Sequence, residues 1–284
     1  MSDFVFYDLR RKVGKRDINI LFPNWEAGNE RVMVLSPHDD DALLGAGYAI
    51  AACQAYGSTV SVCIFCDGSA GYSRPEHKTS IVEMRRRETL RAYSVLGVPE
   101  EHVHSLGYPD FSLVSYIGWR LSAGREGTLA RLIPLLRSQR ITRLMIPNGY
   151  REHSDHEAAY DAGRYDGVQA GDPVLVDWGT PCSIKSTVQY AVWGDLSPED
   201  ALVSGEDTRI RANKAIVADY GLERTIAEAL AQFESQGQII QGLLAQRRER
   251  DCGLGMMELY LSLDPRPKLE YGPYAQLIRS LPLE

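Results

Sequence analysis

The run Arg31-Val-Met-Val-Leu-Ser-Pro-His-Asp-Asp-Asp-Ala-Leu-Leu-Gly-Ala-Gly47 decides how the chain is read. Val32-Met-Val-Leu35 is an apolar stretch of strand length, and after three aspartates a small, apolar segment follows at helical length. A strand that passes almost directly into a helix is the unit of a parallel sheet. The unit recurs: strands are predicted over 31–35, 59–66, 102–106 and 141–146, with helices over 43–56, 81–96 and 128–138. This alternation predicts an α/β fold, Rossmann-like and doubly wound, with a mostly parallel sheet and helices on both faces.

Beyond about residue 166 the pattern weakens to a Gly/Asp/Pro stretch, one more strand over 183–193 and a long helical stretch over about 207–250. The tail from residue 264, with Pro265, Pro267, Pro273 and Pro282, is expected to be mostly loop. No internal repeat or linker divides the chain. The expectation is one domain over 1–284, a core of about 30–195 carrying a helical C-terminal elaboration of about 196–284.

The 284 residues, 44% of them hydrophobic, are enough for one substantial core. The first fifteen residues lack the apolar run of a secretory signal, and the small-apolar segment 42–56 is too short for a membrane span. Five scattered cysteines show no disulfide framework, which fits a reducing cytoplasm. Cys63 and Cys66 lie on a predicted strand, facing opposite sides as core thiols. A net charge of −7 argues against a nucleic-acid partner. The basic clusters Arg10-Arg11-Lys12, Arg85-Arg86-Arg87 and Arg247-Arg248 read as solvated helix faces.

Two clusters carry chemistry. His38-Asp39-Asp40-Asp41 stands where a strand gives way to a helix, the edge of an α/β sheet at which ligands bind. One aspartate would suffice to cap that helix, whereas three in succession repel each other. His153-Ser154-Asp155-His156-Glu157 follows another strand, and its S-x-x-E pattern reads as a capping box that starts a helix at Ser154 and turns His156 toward the crevice. Asp155 is placed to orient a ring through its second nitrogen. His38, Asp41 and a histidine of the second cluster would give three ligands and an open fourth position, the pattern of a hydrolytic zinc site.

At these clusters the sequence resembles the PIG-L/LmbE family of zinc-dependent N-deacetylases. The family's H-P-D-D-E with a following Gly-x-Gly is similar to His38-Asp39-Asp40-Asp41-Ala42 with Gly45-Ala46-Gly47, and its H-P-D-H is similar to His153-Ser154-Asp155-His156. Asp67-Gly68, the Arg85-x-x-Glu88-x-x-x-Ala92-x-x-x-Leu96-Gly97 helix and Gly107-Tyr108-Pro109-Asp110 extend the match over about 30–165. The resemblance implies a small-molecule amino-sugar conjugate of the N-acetylglucosamine type as substrate. It implies one zinc ion per chain held by His38, Asp41 and His156. Asp40 would be the general base, His153 would stabilise the oxyanion or protonate the leaving amine, and Asp155 would support it. Arg85, with Arg86 or Arg87 in its place if the helix register shifts by one, and Asp110 would hold the sugar or its attached group. Asp39, Ala42 and Ser154 depart from the family's proline, glutamate and proline, and Asp39 adds negative charge close to the metal.

Three other readings stand beside this one. A nucleotide-binding module would use Gly45 and Gly47, but Ile50 holds the third glycine position and the aspartates would repel a pyrophosphate. A magnesium phosphotransferase built on Asp39 and Asp41 leaves His38, His153 and His156 idle. A metal-binding pseudo-enzyme is compatible with Ala42.

Overall fold

The computed structural model of the protein describes residues 4–197 and 209–282. The N-terminal hairpin consists of β1 (Val5–Asp8) and β2 (Val13–Lys15). There follow β3 (Arg31–Ser36), α1 (Asp41–Ala55), β4 (Thr59–Cys66), α2 (Ile81–Val95), β5 (Val103–Tyr108), α3 (Thr128–Ser138), β6 (Arg143–Pro147) and α4 (Ser154–Asp161). The remainder holds β7 (Ser186–Tyr190), β8 (Lys214–Ala218), α5 (Tyr220–Leu230), α6 (Gly237–Arg247), β9 (Met256–Leu263) and α7 (Tyr271–Ser280).

One nine-stranded sheet runs β2-β1-β8-β9-β7-β6-β3-β4-β5. The five strands from β7 to β5 are parallel, so their C-terminal ends share one edge, and β9, β8, β1 and β2 continue the sheet antiparallel. Side-chain alternation sorts the core into two layers. Val32, Val34, Val60, Val62 and Ile64 pack with α1 and α5, whereas Met33, Leu35, Cys63 and Phe65 pack with α3 and α4. α1 is buried on nearly every side because the sheet lies below it and α5 beside it. Its glycines permit that approach. A Cβ at Gly45 would stand 2.4 Å from the Tyr190 ring, and one at Gly47 would stand 2.6 Å from Ile226. The glycine pair therefore serves packing.

Several expectations are corrected. The sheet is mixed, and the C-terminal part contributes β8 and β9 to its middle instead of being purely helical. The long helix expected over about 207–250 is β8 followed by two helices, α5 and α6; Asp207, its expected start, lies outside the described residues. The proline-bearing tail contains α7, with Pro273 in the first turn, where no amide donor is needed. Cys66 joins the same layer as Cys63, because the pairing of β4 with β5 shifts register between Ile64 and Cys66. Two of the basic clusters are not wholly solvated. Arg85 is buried, and Arg247 is buried between Glu223 and Glu258 while donating to the Leu44 carbonyl of α1. Among the described residues no helix is long and apolar enough to cross a membrane.

Candidate metal centre

The site lies at the C-terminal edge of the five parallel strands. His38 follows β3, Cys66 ends β4, Asp110 and Phe111 follow β5, Glu152 to His156 follow β6, and Trp193 follows β7. Strand ends converge there while the backbone is already satisfied in the sheet, so the side chains are free to act.

Asp41, at the first position of α1, stands between two imidazoles. Its Oδ2 lies 3.2 Å from His38 Nδ1 and 3.1 Å from His156 Nε2, and it also accepts the His38 amide at 2.8 Å. Burial opposes ionisation of Asp41, but the two histidines outweigh it and hold its carboxyl well below the usual range. Hydrogen bonds to Asp155 and then Asp41 raise His38 against its own burial, and the Asp41 contact raises His156 to about 9. His38 turns Nε2 to Asp155 Oδ2 at 3.2 Å. Asp155 is fixed in turn by the amides of Phe111 at 2.7 Å and Leu113 at 3.0 Å. The Asp155 carboxylate thus orients His38, and the same oxygen lies 3.5 Å from Nδ1 of His153, the ring the family pattern implied it supports.

His153 caps α4 with its own ring: the Asp155 amide donates to His153 Nδ1 at 3.1 Å. The expected Ser154–Glu157 capping box does not form, because His153 is extended and its nitrogen reaches the free amide first. With Nδ1 accepting, the ring proton sits on Nε2. Burial and the neighbouring His38 both depress the His153 pKa, which keeps the ring neutral.

Glu152 was not anticipated. Its Oε2 lies 2.8 Å from His156 Nδ1, and its Oε1 accepts the amides of Val192, Trp193 and Gly194 at 2.8, 3.0 and 2.8 Å. Its i−4 spacing from His156 is visible in the sequence, but its second task depends on β6 pairing with β7. By accepting a hydrogen bond from Nδ1–H it fixes the ring with Nε2 aimed at Asp41, the nitrogen a metal would take once its proton is displaced. That nitrogen has no hydrogen-bond partner, although Asp41 Oδ2 is only 3.1 Å away. With the ring raised to about 9, a proton fills the gap between Nε2 and Asp41 near neutral pH, and a divalent cation can displace it there. His38, Asp41 and His156 are thus a donor set that fits a divalent ion, with ligand atoms within 4.8 Å of one another.

Glu152→Gln is expected to weaken metal binding by about 10- to 100-fold, because an amide that donates to Nδ1 moves the ring proton onto Nε2. Competition against a chromogenic chelator measures it. An unchanged affinity would remove Glu152 from this role.

The other two aspartates diverge. Asp40, at the N-cap of α1, makes no capping hydrogen bond, and burial together with the Asp41 charge pushes its carboxyl up to about 7. Asp39 turns away from the histidines. Arg85 holds both of its oxygens, Thr89 Oγ1 donates to Oδ2 at 3.0 Å, and the Tyr93 hydroxyl donates to its carbonyl at 3.0 Å. The Asp39 charge is therefore neutralised by Arg85 instead of loading the metal centre, and the Arg85 guanidinium is committed to it. Asp110 stays beside the site, within 4.8 Å of a His38 nitrogen and the Cys66 thiol. Its oxygens accept the amides of Gly68 and Ala70, both at 2.9 Å, which ties the loop after β4 to the loop after β5. Arg86 and Arg87 are exposed on α2.

Residues 33–165 match the family model described as PIG-L, GlcNAc-PI de-N-acetylase, a span that includes both motifs. The match falls on the same stretch as the resemblance read from those motifs, from within β3 through α4. No curated protein matches the sequence. Among solved structures, the N,N'-diacetylchitobiose deacetylase of Pyrococcus horikoshii is similar at a TM-score of 0.63 and 16% identity, over 83% of this chain and 84% of that one. GalB, the 4-carboxy-2-hydroxymuconate hydratase of Pseudomonas putida KT2440, is similar at 0.60 and 17%, over 85% and 99%. The A40926 pseudoaglycone deacetylase Dbv21 is similar at 0.58 and 18%, over 84% and 99%. At these identities the likeness is one of fold.

Proposed function

We propose that the protein is a zinc-dependent hydrolase that removes an N-acetyl or similar N-acyl group from a small N-acetylglucosamine-type conjugate, on a Rossmann-like doubly wound frame. The observation that carries this reading is the convergence of His156 Nε2 and His38 Nδ1 on one oxygen of Asp41, with no well-directed hydrogen bond at the buried Nε2. His38, Asp41 and His156 would hold one zinc ion per chain, two imidazoles and a carboxylate being a set that suits zinc and keeps a position open. When bound, the ion polarises the amide carbonyl and makes a water at the open position acidic. Asp40 receives the proton of the attacking water at its carboxylate and delivers it to the leaving nitrogen. His153 presents Nε2–H to the amide oxygen as negative charge gathers there.

The PIG-L pattern over 33–165 supports the reaction class, and the neighbours named for deacetylation support it further. The hydratase among the neighbours has the same fold, so the products decide. Zinc-loaded protein is expected to release acetate and free amine in equal amounts from N-acetylglucosamine conjugates such as N,N'-diacetylchitobiose. Turnover of 4-carboxy-2-hydroxymuconate, with no acetate from any amino sugar, would replace this reading with hydration.

A further inference from the structure

Phe111 holds a backbone φ of +59°, in the left-handed region, and exposes 70% of its surface. A bulky side chain is disfavoured in that conformation, and an exposed aromatic ring gains little from folding. The fold asks only for the Phe111 amide, which donates to Asp155 Oδ2 at 2.7 Å. Glycine would supply the same amide without strain. The ring itself stands 4.6 Å from the His153 ring.

Trp193 repeats this arrangement. It is 46% exposed, the fold uses its amide on Glu152, and its ring lies 4.8 Å from the His156 ring. His153 and His156 are 6.2 Å apart, with His38 at 5.3 and 5.5 Å from them. Ring contacts therefore run from Phe111 through the histidines to Trp193, and an apolar surface ends the row on each side.

The geometry points to Phe111 and Trp193 as two stacking platforms that hold ring faces of the substrate on either side of the scissile amide. This inference rests on the deacetylase reading and narrows its substrate class. A single N-acetylated sugar fills one platform, whereas a disaccharide or an aryl glycoside of it fills both. Pyranoses present C–H groups on their faces, and these rest on the electron-rich face of an aromatic ring.

The test compares N-acetylglucosamine with N,N'-diacetylchitobiose on zinc-loaded wild type, Phe111→Gly and Trp193→Ala, with Phe111→Tyr and Trp193→Phe as conservative variants. Wild type is expected to favour the disaccharide. Each truncation should raise KM for the disaccharide by roughly tenfold, about 1.4 kcal/mol, and raise KM for the monosaccharide less. The conservative variants should keep the preference. Phe111→Gly should melt no lower than wild type, since glycine relieves the backbone. A disaccharide preference that survives both truncations overturns the inference, as does a Phe111→Gly variant that melts well below wild type. If wild type releases acetate from neither sugar, the deacetylase reading falls. Calorimetric titration with the same disaccharide then decides the platforms: binding weakened tenfold by either truncation supports them, and absent or unaltered binding overturns them.

Discussion

Asp40→Asn is expected to lose turnover by about three orders of magnitude, within the span a positioned general base contributes, while keeping its metal and its fold. Of the three consecutive aspartates, Asp41 is occupied by His38 and His156, and Asp39 by Arg85 and Thr89. Asp40 is gripped by no cation: the edge of Arg85 is 3.9 Å from Oδ1, and a hydrogen bond from its own backbone amide is all that holds its carboxyl group among the described residues. Burial and the adjacent Asp41 charge push it up to about 7, where a carboxylate can accept a proton and return it near neutral pH. Asparagine has the same shape and cannot accept that proton. Steady-state kinetics and metal content, measured on one preparation, check the expectation. A variant that keeps most of its activity would place the base elsewhere.

The second large effect is on stability. Asp39→Ala is expected to destabilise the protein by about 3–5 kcal/mol, the usual result of leaving a buried charge without its partner. Arg85 is only 6% exposed, and Asp39 is the carboxylate it grips with two nitrogens. Activity should fall as well, because the released guanidinium can turn to Asp40 and favour its charged form. Urea unfolding at constant slope measures the loss. Asp39→Ala combined with Arg85→Met should recover part of it, since the uncompensated charge is then gone. A loss below about 1 kcal/mol would mean that water already reaches Arg85.

These two expectations show where the sequence was legible. β3, β4 and α3 could be read closely because each has an uninterrupted period and abrupt ends, and α3 falls on the residues expected. β9 escaped because Glu258 is buried in it, paired with Arg247 and accepting the Tyr48 amide, so a charged residue stands where an apolar one was sought. β8 has five residues directly before the helix α5 and owes its place to β1 and β9 on either side. α7 was hidden by its prolines, although Tyr271, Tyr274, Leu277 and Ile278 repeat at helical spacing.

The candidate metal centre followed the same rule. His38, Asp41 and His156 lie in two short clusters at strand ends, so local reading finds them. Which group each carboxylate serves is a tertiary matter. Asp39 reaches Arg85 across 46 residues, and Glu152 reaches the loop after β7 across about 40. Trp193 carries no local signal at all, being brought beside His156 by the parallel pairing of β6 and β7.

The most direct test of the account is a zinc titration of chelator-stripped protein in which bound metal and acetate release are followed together. The account predicts that activity rises from near zero in proportion to bound zinc and reaches its plateau at one ion per chain, with His156→Ala binding none over the same range. Full activity in the stripped protein, or stoichiometric zinc in His156→Ala, would contradict it.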